Sequence, residues 1–300
     1  MSSARVRVVL RRLAGASLGG MCLGVFWLLA VWPPPVWYRT HWPAETAFME
    51  MRGREDSGVS GKARQYRPVP LDSIAKSAMK AVTTGEDDNF WVHHGIDYQA
   101  LRHALGYRRD SFSWSSARDQ RDFLPLLTQA WAQREQLRGA STITQQLAKN
   151  LYLSPSRNPL RKIKEAVTAY RLEYALPKER ILELYLNVVE LGNDIWGFEA
   201  GSRAYFKKSA ARLNLDQAAA LAASLPFPLT SNPSHHSGRM RWRQQLILRR
   251  MRGERVEVPR VEAEIPAPAV EIPDPVIMPQ AGSLPVAPRD TILLEPDTLP

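Results

Sequence analysis

The chain has 300 residues, 44% of them hydrophobic, enough for one sizeable core plus appendages and not enough for several large domains. Its formal charge of +10 points to an anionic partner: nucleic acid, a lipid surface or a phosphorylated substrate. The single cysteine, Cys22, excludes an intrachain disulfide framework.

The N-terminus separates these partners. Arg5, Arg7, Arg11 and Arg12 precede an uncharged run from Leu13 to Trp32, long enough to cross a bilayer as a helix. Trp27, Trp32, Trp37 and Tyr38 supply interfacial aromatics, and Pro33 to Pro35 stop the helix. Basic residues before the span place residues 1–36 as a cytoplasmic tip and anchor, with the bulk of the chain on the outer side, away from nucleic acid. A cleaved signal peptide is the competing reading; the length of the run and the lack of a small-x-small site before the prolines oppose it. Residues 37–67 read as a polar juxtamembrane segment without an assigned role.

The main domain is expected over residues 68–252. Pro70 opens a helix in which Leu71, Ile74, Ala75, Ala78, Met79 and Val82 recur at helical spacing, with Gly85 at its end. Ser73 and Lys76 match a nucleophile pattern, S-x-x-K, whose companion strings are absent, so the match is discarded as chance. The stretch EDDNFWVHHGID (86–97) follows. Three adjacent acids repel one another, so partial desolvation by Phe90 and Trp91 raises at least one of them, as a general base needs. A solvated acidic helix end is the plain alternative. A metal site with His93 and His94 is rejected, because adjacent histidines cannot both chelate one ion from a helix face. Residues 107–137 are polar and are expected to form a mobile flap or loop.

The string GASTITQQLAKNLYL (139–153) predicts a helix with two faces: Ile143, Leu147 and Leu151 on one, Thr142, Gln145, Gln146 and Lys149 on the other. Thr142 and Gln145 fit a capping box, which sets free backbone N–H groups beside those polar side chains and suits an anion. A turn at 154–159 leads to RKIKE (161–165), where Arg161 and Glu165 share a helix face with Lys162 beside them. Ala169 and Leu172 continue the Glu165 face, while Ile163, Val167, Tyr170 and Tyr174 cover the other, so the helix is expected to enter the interior just beyond the carboxylate. KERILELYLN (178–187) carries a core stripe of Ile181, Leu182, Tyr185 and Leu186; Glu183 and Glu190 are read as part of the wall. Asn214 or Asp216 is placed to cap an alanine-rich helix ending before Pro226. The basic stretch 239–255 fits either membrane-surface contact or a solvated terminal helix. Beyond Gly253 stand ten of the 23 prolines, with nine acids against three bases, which reads as a disordered or polyproline tail over 253–300.

Four of these strings, in order between Pro68 and Pro228, resemble the motifs of glycosyltransferase family 51, the peptidoglycan glycosyltransferases that polymerise lipid II. The resemblance implies a mainly α, lysozyme-like, two-lobed helical domain behind the transmembrane helix, on the periplasmic side of a bacterial inner membrane. It implies a lipid-linked glycan as donor and lipid II as acceptor, joined with inversion and loss of undecaprenyl pyrophosphate. Glu86 would be the base on the acceptor's 4-hydroxyl and Glu165 would assist the leaving pyrophosphate. Lys149, Arg161 and Lys162 would hold that pyrophosphate, with Gln146 beside them. Asp87, Ser141, Thr142, Gln145 and Asn150 are assigned to other substrate contacts. No tightly bound cofactor is implied, and a divalent cation (Mg or Mn) at the pyrophosphate stays open. Ala140 departs from the family's second glycine. The chain ends too soon after Pro228 for a cross-linking domain, so a polymerase that works with separate transpeptidases is expected. A lytic transglycosylase or lysozyme-like hydrolase would also place a Glu in a helical groove but would not need the cations. A non-catalytic scaffold would need neither.

Overall fold

The computed structural model describes residues 3–55, 63–107, 109, 111–132, 141–153, 159–235, 237–254 and 256. The 139–140 turn, most of the 154–159 turn and nearly all of the proline-rich tail lie outside them. The protein is mainly helical: α1 (Ser3–Leu29), α2 (Ala47–Glu55), α3 (Lys76–Glu86), α4 (Tyr98–Ala104), α5 (Ala117–Ala132), α6 (Ile143–Tyr152), α7 (Pro159–Ala175), α8 (Lys178–Val188), α9 (Phe198–Phe206), α10 (Leu215–Ser224) and α11 (Gly238–Met251). A small sheet joins β1 (Gln65–Tyr66), β2 (Glu190–Gly192) and β3 (Ile195–Trp196) in the order β1-β3-β2, β1 parallel and β2 antiparallel to the middle strand.

Helix α6 is central, packed between α7 and α8 and covered by α2. Ile143, Leu147 and Leu151 are buried at the spacing the sequence shows, and the apolar stripe of α8 meets them with Ile181, Leu182, Tyr185 and Leu186. A second packing centre forms where α10 lies against α3 and α11. The buried Ala218, Ala219, Ala222 and Ala223 keep α10 thin, so the three helices approach closely. Asn214 caps α10 in a capping box with Gln217, and Asp216 lies in its first turn.

Gly197 has a residue-specific reason to be glycine. Its φ is +83°, and a Cβ there would lie 2.4 Å from the Asn187 carbonyl oxygen. It lets the chain leave β3 and start α9 hard against the end of α8.

Three sequence expectations need correction. The helix expected from Pro70 starts at Lys76: Leu71–Ser73 form a 3-10 turn and Ile74 is extended, because the Ala75 N–H is taken by the Ala210 carbonyl rather than by a preceding turn. The 107–137 segment is not simply a loop. It contains α5 and an aromatic cluster of Tyr107, Phe112, Trp114 and Phe123, tied down where Arg109 pairs with Asp119 and Asp122. Tyr107 and Phe123 are buried in this cluster, Phe112 is half-buried and Trp114 stays exposed at its edge, so the stretch has a small local core that its polar composition conceals.

The third concerns the expected span from Leu13 to Trp32. A helix forms there, but among the described residues no helix is long and apolar enough to cross a membrane. α1 stops at Leu29, and Gly15, Ser17, Gly19, Gly20 and Gly24 dilute its apolar character. Its side chains Leu18, Met21, Leu23, Val25 and Phe26 stand exposed.

Candidate active site

The site is built around the first turns of α6. Thr142 accepts a hydrogen bond from the Gln145 N–H at 3.1 Å, and Gln145 Oε1 accepts from the Thr142 N–H at 3.1 Å, closing the expected capping box. Thr142 Oγ1 also donates to the Gly95 carbonyl at 2.7 Å, which fastens the 86–97 segment to the helix start. Gly95 adopts φ +91°, and a Cβ would press on the α7 backbone at Ala169 and Tyr170.

Asp87 completes the joint. One oxygen accepts from the Ile143 N–H at 2.8 Å and both lie about hydrogen-bond distance from His93 Nε2, at 2.9 and 3.0 Å. A carboxylate at a helix N-terminus is favoured by the free N–H groups there, so Asp87 anchors α6. The structure therefore gives Asp87, Thr142 and Gln145 partners within the protein; all three are buried. Through these bonds they brace the start of α6. Asn150 is buried as well.

Glu86, the last residue of α3, turns to the other side of this joint. Gln146 Nε2 donates to its Oε2 at 2.9 Å and Arg243 Nη2 donates to its Oε1 at 2.8 Å, the arginine also reaching the Gly85 carbonyl at 3.0 Å. Arg243 comes from α11, whose Met240, Leu246, Ile247, Leu248 and Met251 are buried. The apolar side of the 239–255 stretch packs into the domain, one of its arginines enters the site, and Arg241 and Arg249 face outward. Gly85 marks the contact rather than the helix end, since a Cβ there would lie 3.0 Å from Ile247 Cδ1. Of the three consecutive acids, burial raises Asp88; the Arg250 charge opposes this and Asp87 adds to it.

Glu165 is held differently. It is buried on α7, with Arg161 Nη1 2.9 Å from one oxygen and Lys162 Nζ on the other. Lys162 also donates to Ser141 Oγ at 2.9 Å, which ties α7 to the start of α6. The helix face switches as its sequence shows: Ala169 and Leu172 are fully buried beyond Glu165, while Ile163, Tyr170 and Tyr174 are exposed.

Lys149 lies between these two halves. It is largely buried, and burial pushes its ammonium below the usual 10.5; Glu165 draws it back up, Lys162 and Arg161 push it down, and Glu86 again supports it. Its Nζ stands 5.8 Å from the centre of the Phe48 ring, whose other neighbours are Arg52 and Trp196. α2, from the segment without an assigned role, thus covers the lysine with an aromatic face. Arg52 in turn pairs with the buried Glu190, and Glu183 receives the Leu71 N–H at 2.6 Å, so both acids serve the wall.

The arrangement sets two carboxylates around a cluster of three cations, with one lysine within the field of both. A transglycosylase family model matches residues 54–252. The chain belongs to that family. Similar proteins described as biosynthetic peptidoglycan transglycosylases include one from Bordetella avium, 38% identical over 253 residues that span 84% of this chain and 98% of that protein. One from Bordetella pertussis is 40% identical over 241 residues, 80% of this chain and 91% of its own. One from Azoarcus sp. is 36% identical over 248 residues, 79% of this chain and 98% of its own. A transglycosylase has to activate an incoming hydroxyl and stabilise a departing group. Glu86 with Arg243 and Gln146, and Lys149 with Arg161, Lys162 and Glu165, all lie within the matched region.

Proposed function

We propose that the protein polymerises lipid II into linear glycan strands at a bacterial inner membrane. Glu86 takes the proton from the acceptor's 4-hydroxyl as that oxygen attacks the anomeric carbon of the lipid-linked donor, whose bond to pyrophosphate breaks with inversion. Lys149, Arg161 and Lys162 receive the negative charge that accumulates on the departing undecaprenyl pyrophosphate. Glu165 keeps Arg161 and Lys162 in place and limits their mutual repulsion. Ser141 and Gln146 lie close enough to these groups to meet phosphate or sugar oxygens.

The observation that carries this reading is the placement of Lys149, a largely buried cation in the field of both Glu86 and Glu165. A buried ammonium under pressure from Arg161 and Lys162 is costly in the free protein and becomes favourable when an anion arrives. A glycan-cleaving enzyme with a helical-groove Glu has no such need, and that separates the two chemistries.

A divalent cation (Mg or Mn) accompanying the pyrophosphate would be held chiefly by phosphate oxygens. Among the described residues no three His, Cys, Asp or Glu side chains converge, and both oxygens of Glu165 already face cations. No step is routed through a metal.

The exposed apolar side chains of α1, the N-terminal arginines and the exposed Trp32 and Trp37 support a membrane anchor and a lysozyme-like domain resting on the outer face of the bilayer, within reach of lipid-borne substrates. The test is incubation of the purified full chain with labelled lipid II. Polymer from the wild type and none from Glu86→Gln is the expected result; shortening of preformed glycan would establish the hydrolase instead.

A further inference from the structure

Behind Glu86 lies a hydrogen-bond chain that its role as a base does not by itself require. Tyr185 is fully buried on α8, and its hydroxyl donates to Gln146 Oε1 at 2.8 Å. Gln146 Nε2 then donates to Glu86 Oε2 at 2.9 Å. A glutamine amide has an acceptor end and a donor end, and its partners decide which way it faces. Turned over, Gln146 would set Oε1 against a Glu86 oxygen, an arrangement that suits only a protonated acid. It would also point its NH2 at the phenol and leave the Tyr185 proton to find another acceptor where no surface is exposed. Burial, reinforced by the Glu86 charge, raises the phenol well above 10, so Tyr185 keeps its proton throughout the working range.

We propose that Tyr185 is a positioning residue for glycosyl transfer: by donating to Gln146 it fixes that amide with its NH2 toward Glu86, and so holds Glu86 as the carboxylate that can accept a proton. The proposal rests on Glu86 being the base. Other groups also face Glu86. Arg243 from α11 donates to its second oxygen, and the Lys149 ammonium of α6 lies within its field. Asp87 follows directly in the chain but turns its carboxylate to His93 and the Ile143 N–H, and Asp88 lies within the field of Arg250. The arginine favours the carboxylate independently of the amide, so Tyr185 supplies one part of the bias and acts only through Gln146.

The experiment is the pH profile of kcat/KM for polymerisation of labelled lipid II by the purified full chain, which reports the groups of the free enzyme. Tyr185→Phe is expected to move the acidic limb up by about half a pH unit or more while the alkaline limb and KM stay in place. In a Gln146→Leu background the same replacement should produce no further movement. An acidic limb that stays put while the rate drops uniformly, or a further shift in the Gln146→Leu background, overturns the proposal. Should Tyr185→Phe fail to accumulate as folded protein, 3-fluorotyrosine at position 185, a stronger donor, should move the limb down; an unmoved limb again overturns it. Glu86→Gln is assayed alongside, because polymer from that variant would remove the base assignment itself and not merely Tyr185's part in it.

Discussion

The two carboxylates of the site are stabilised in opposite ways. Glu165 draws its partners, Arg161 and Lys162, from the preceding turn of its own helix, so the unit exists wherever α7 is helical. Glu86 draws Gln146 from α6 and Arg243 from α11, 60 and 157 residues away in sequence, so its setting exists only once those helices pack against α3. One acid belongs to a segment and the other to the whole fold. The division matches the tasks proposed for them: a leaving-group end needs a dense positive charge, which local sequence can supply, while a base needs a defined orientation, which tertiary packing fixes.

Changes at the Glu86 end should therefore cost most. Glu86→Gln is expected to lower polymerisation by at least about 1,000-fold, read in single-turnover assays of labelled lipid II, since it removes the proton acceptor. Polymerisation near the wild-type rate would move the base elsewhere. Arg243→Ala breaks charged hydrogen bonds to Glu86 and Gly85 together and should cost about 2 kcal/mol in urea unfolding, in addition to slowing the reaction. Lys162→Ala, on the local side, removes a half-exposed cation, and its stability cost should stay under about 1 kcal/mol even where activity falls. Equal losses from the two variants would erase the distinction between a fold-built and a segment-built acid.

The pH behaviour sharpens the comparison further. Because burial holds the Lys149 ammonium below 10.5, kcat/KM should fall on the alkaline side at a pH below the ordinary lysine value, as the charge is lost while pH rises. A limb at or above 10.5 would mean that another group controls it. The smallest effect is expected at Glu199 on α9. Burial raises this acid, but the Ala210 N–H bond, Arg203 and Ser209 outweigh that and bring it below 4.5. A depressed carboxylate contributes stability that is present above 4.5 and lost as pH falls through the lowered value. Glu199→Gln should then narrow the gap between wild-type and variant melting temperatures as the pH is lowered.

The local half was legible in the sequence and the assembled half was not. The capping box of Thr142 and Gln145, the two faces of α6 and the switch of α7 from exposed to buried beyond Glu165 all follow from residue spacing, because each is settled within two or three helical turns. Arg243 could not be read this way. Its stretch is basic with apolar residues interleaved, and nothing local distinguishes a helix lying on lipid from one packed against α3. Tyr185 was legible as core, but its hydroxyl's partner sits on another helix. Phe48 lay in a segment too polar to suggest a wall, and α5 was concealed because its aromatic contacts are made with residues before the helix. The internal partners of Asp87, Thr142 and Gln145 were only partly legible: the capping box follows from spacing, but the bonds of Asp87 to the Ile143 N–H and to His93 and of Thr142 to the Gly95 carbonyl join separate segments.

The most direct test of the account is the rate at which Lys149→Ala polymerises labelled lipid II, with folding verified by its melting curve. A cation shared by the fields of both acids and aimed at the leaving pyrophosphate predicts a loss in kcat/KM of roughly 100-fold or more with the fold intact. Wild-type polymerisation by a folded Lys149→Ala protein would contradict it.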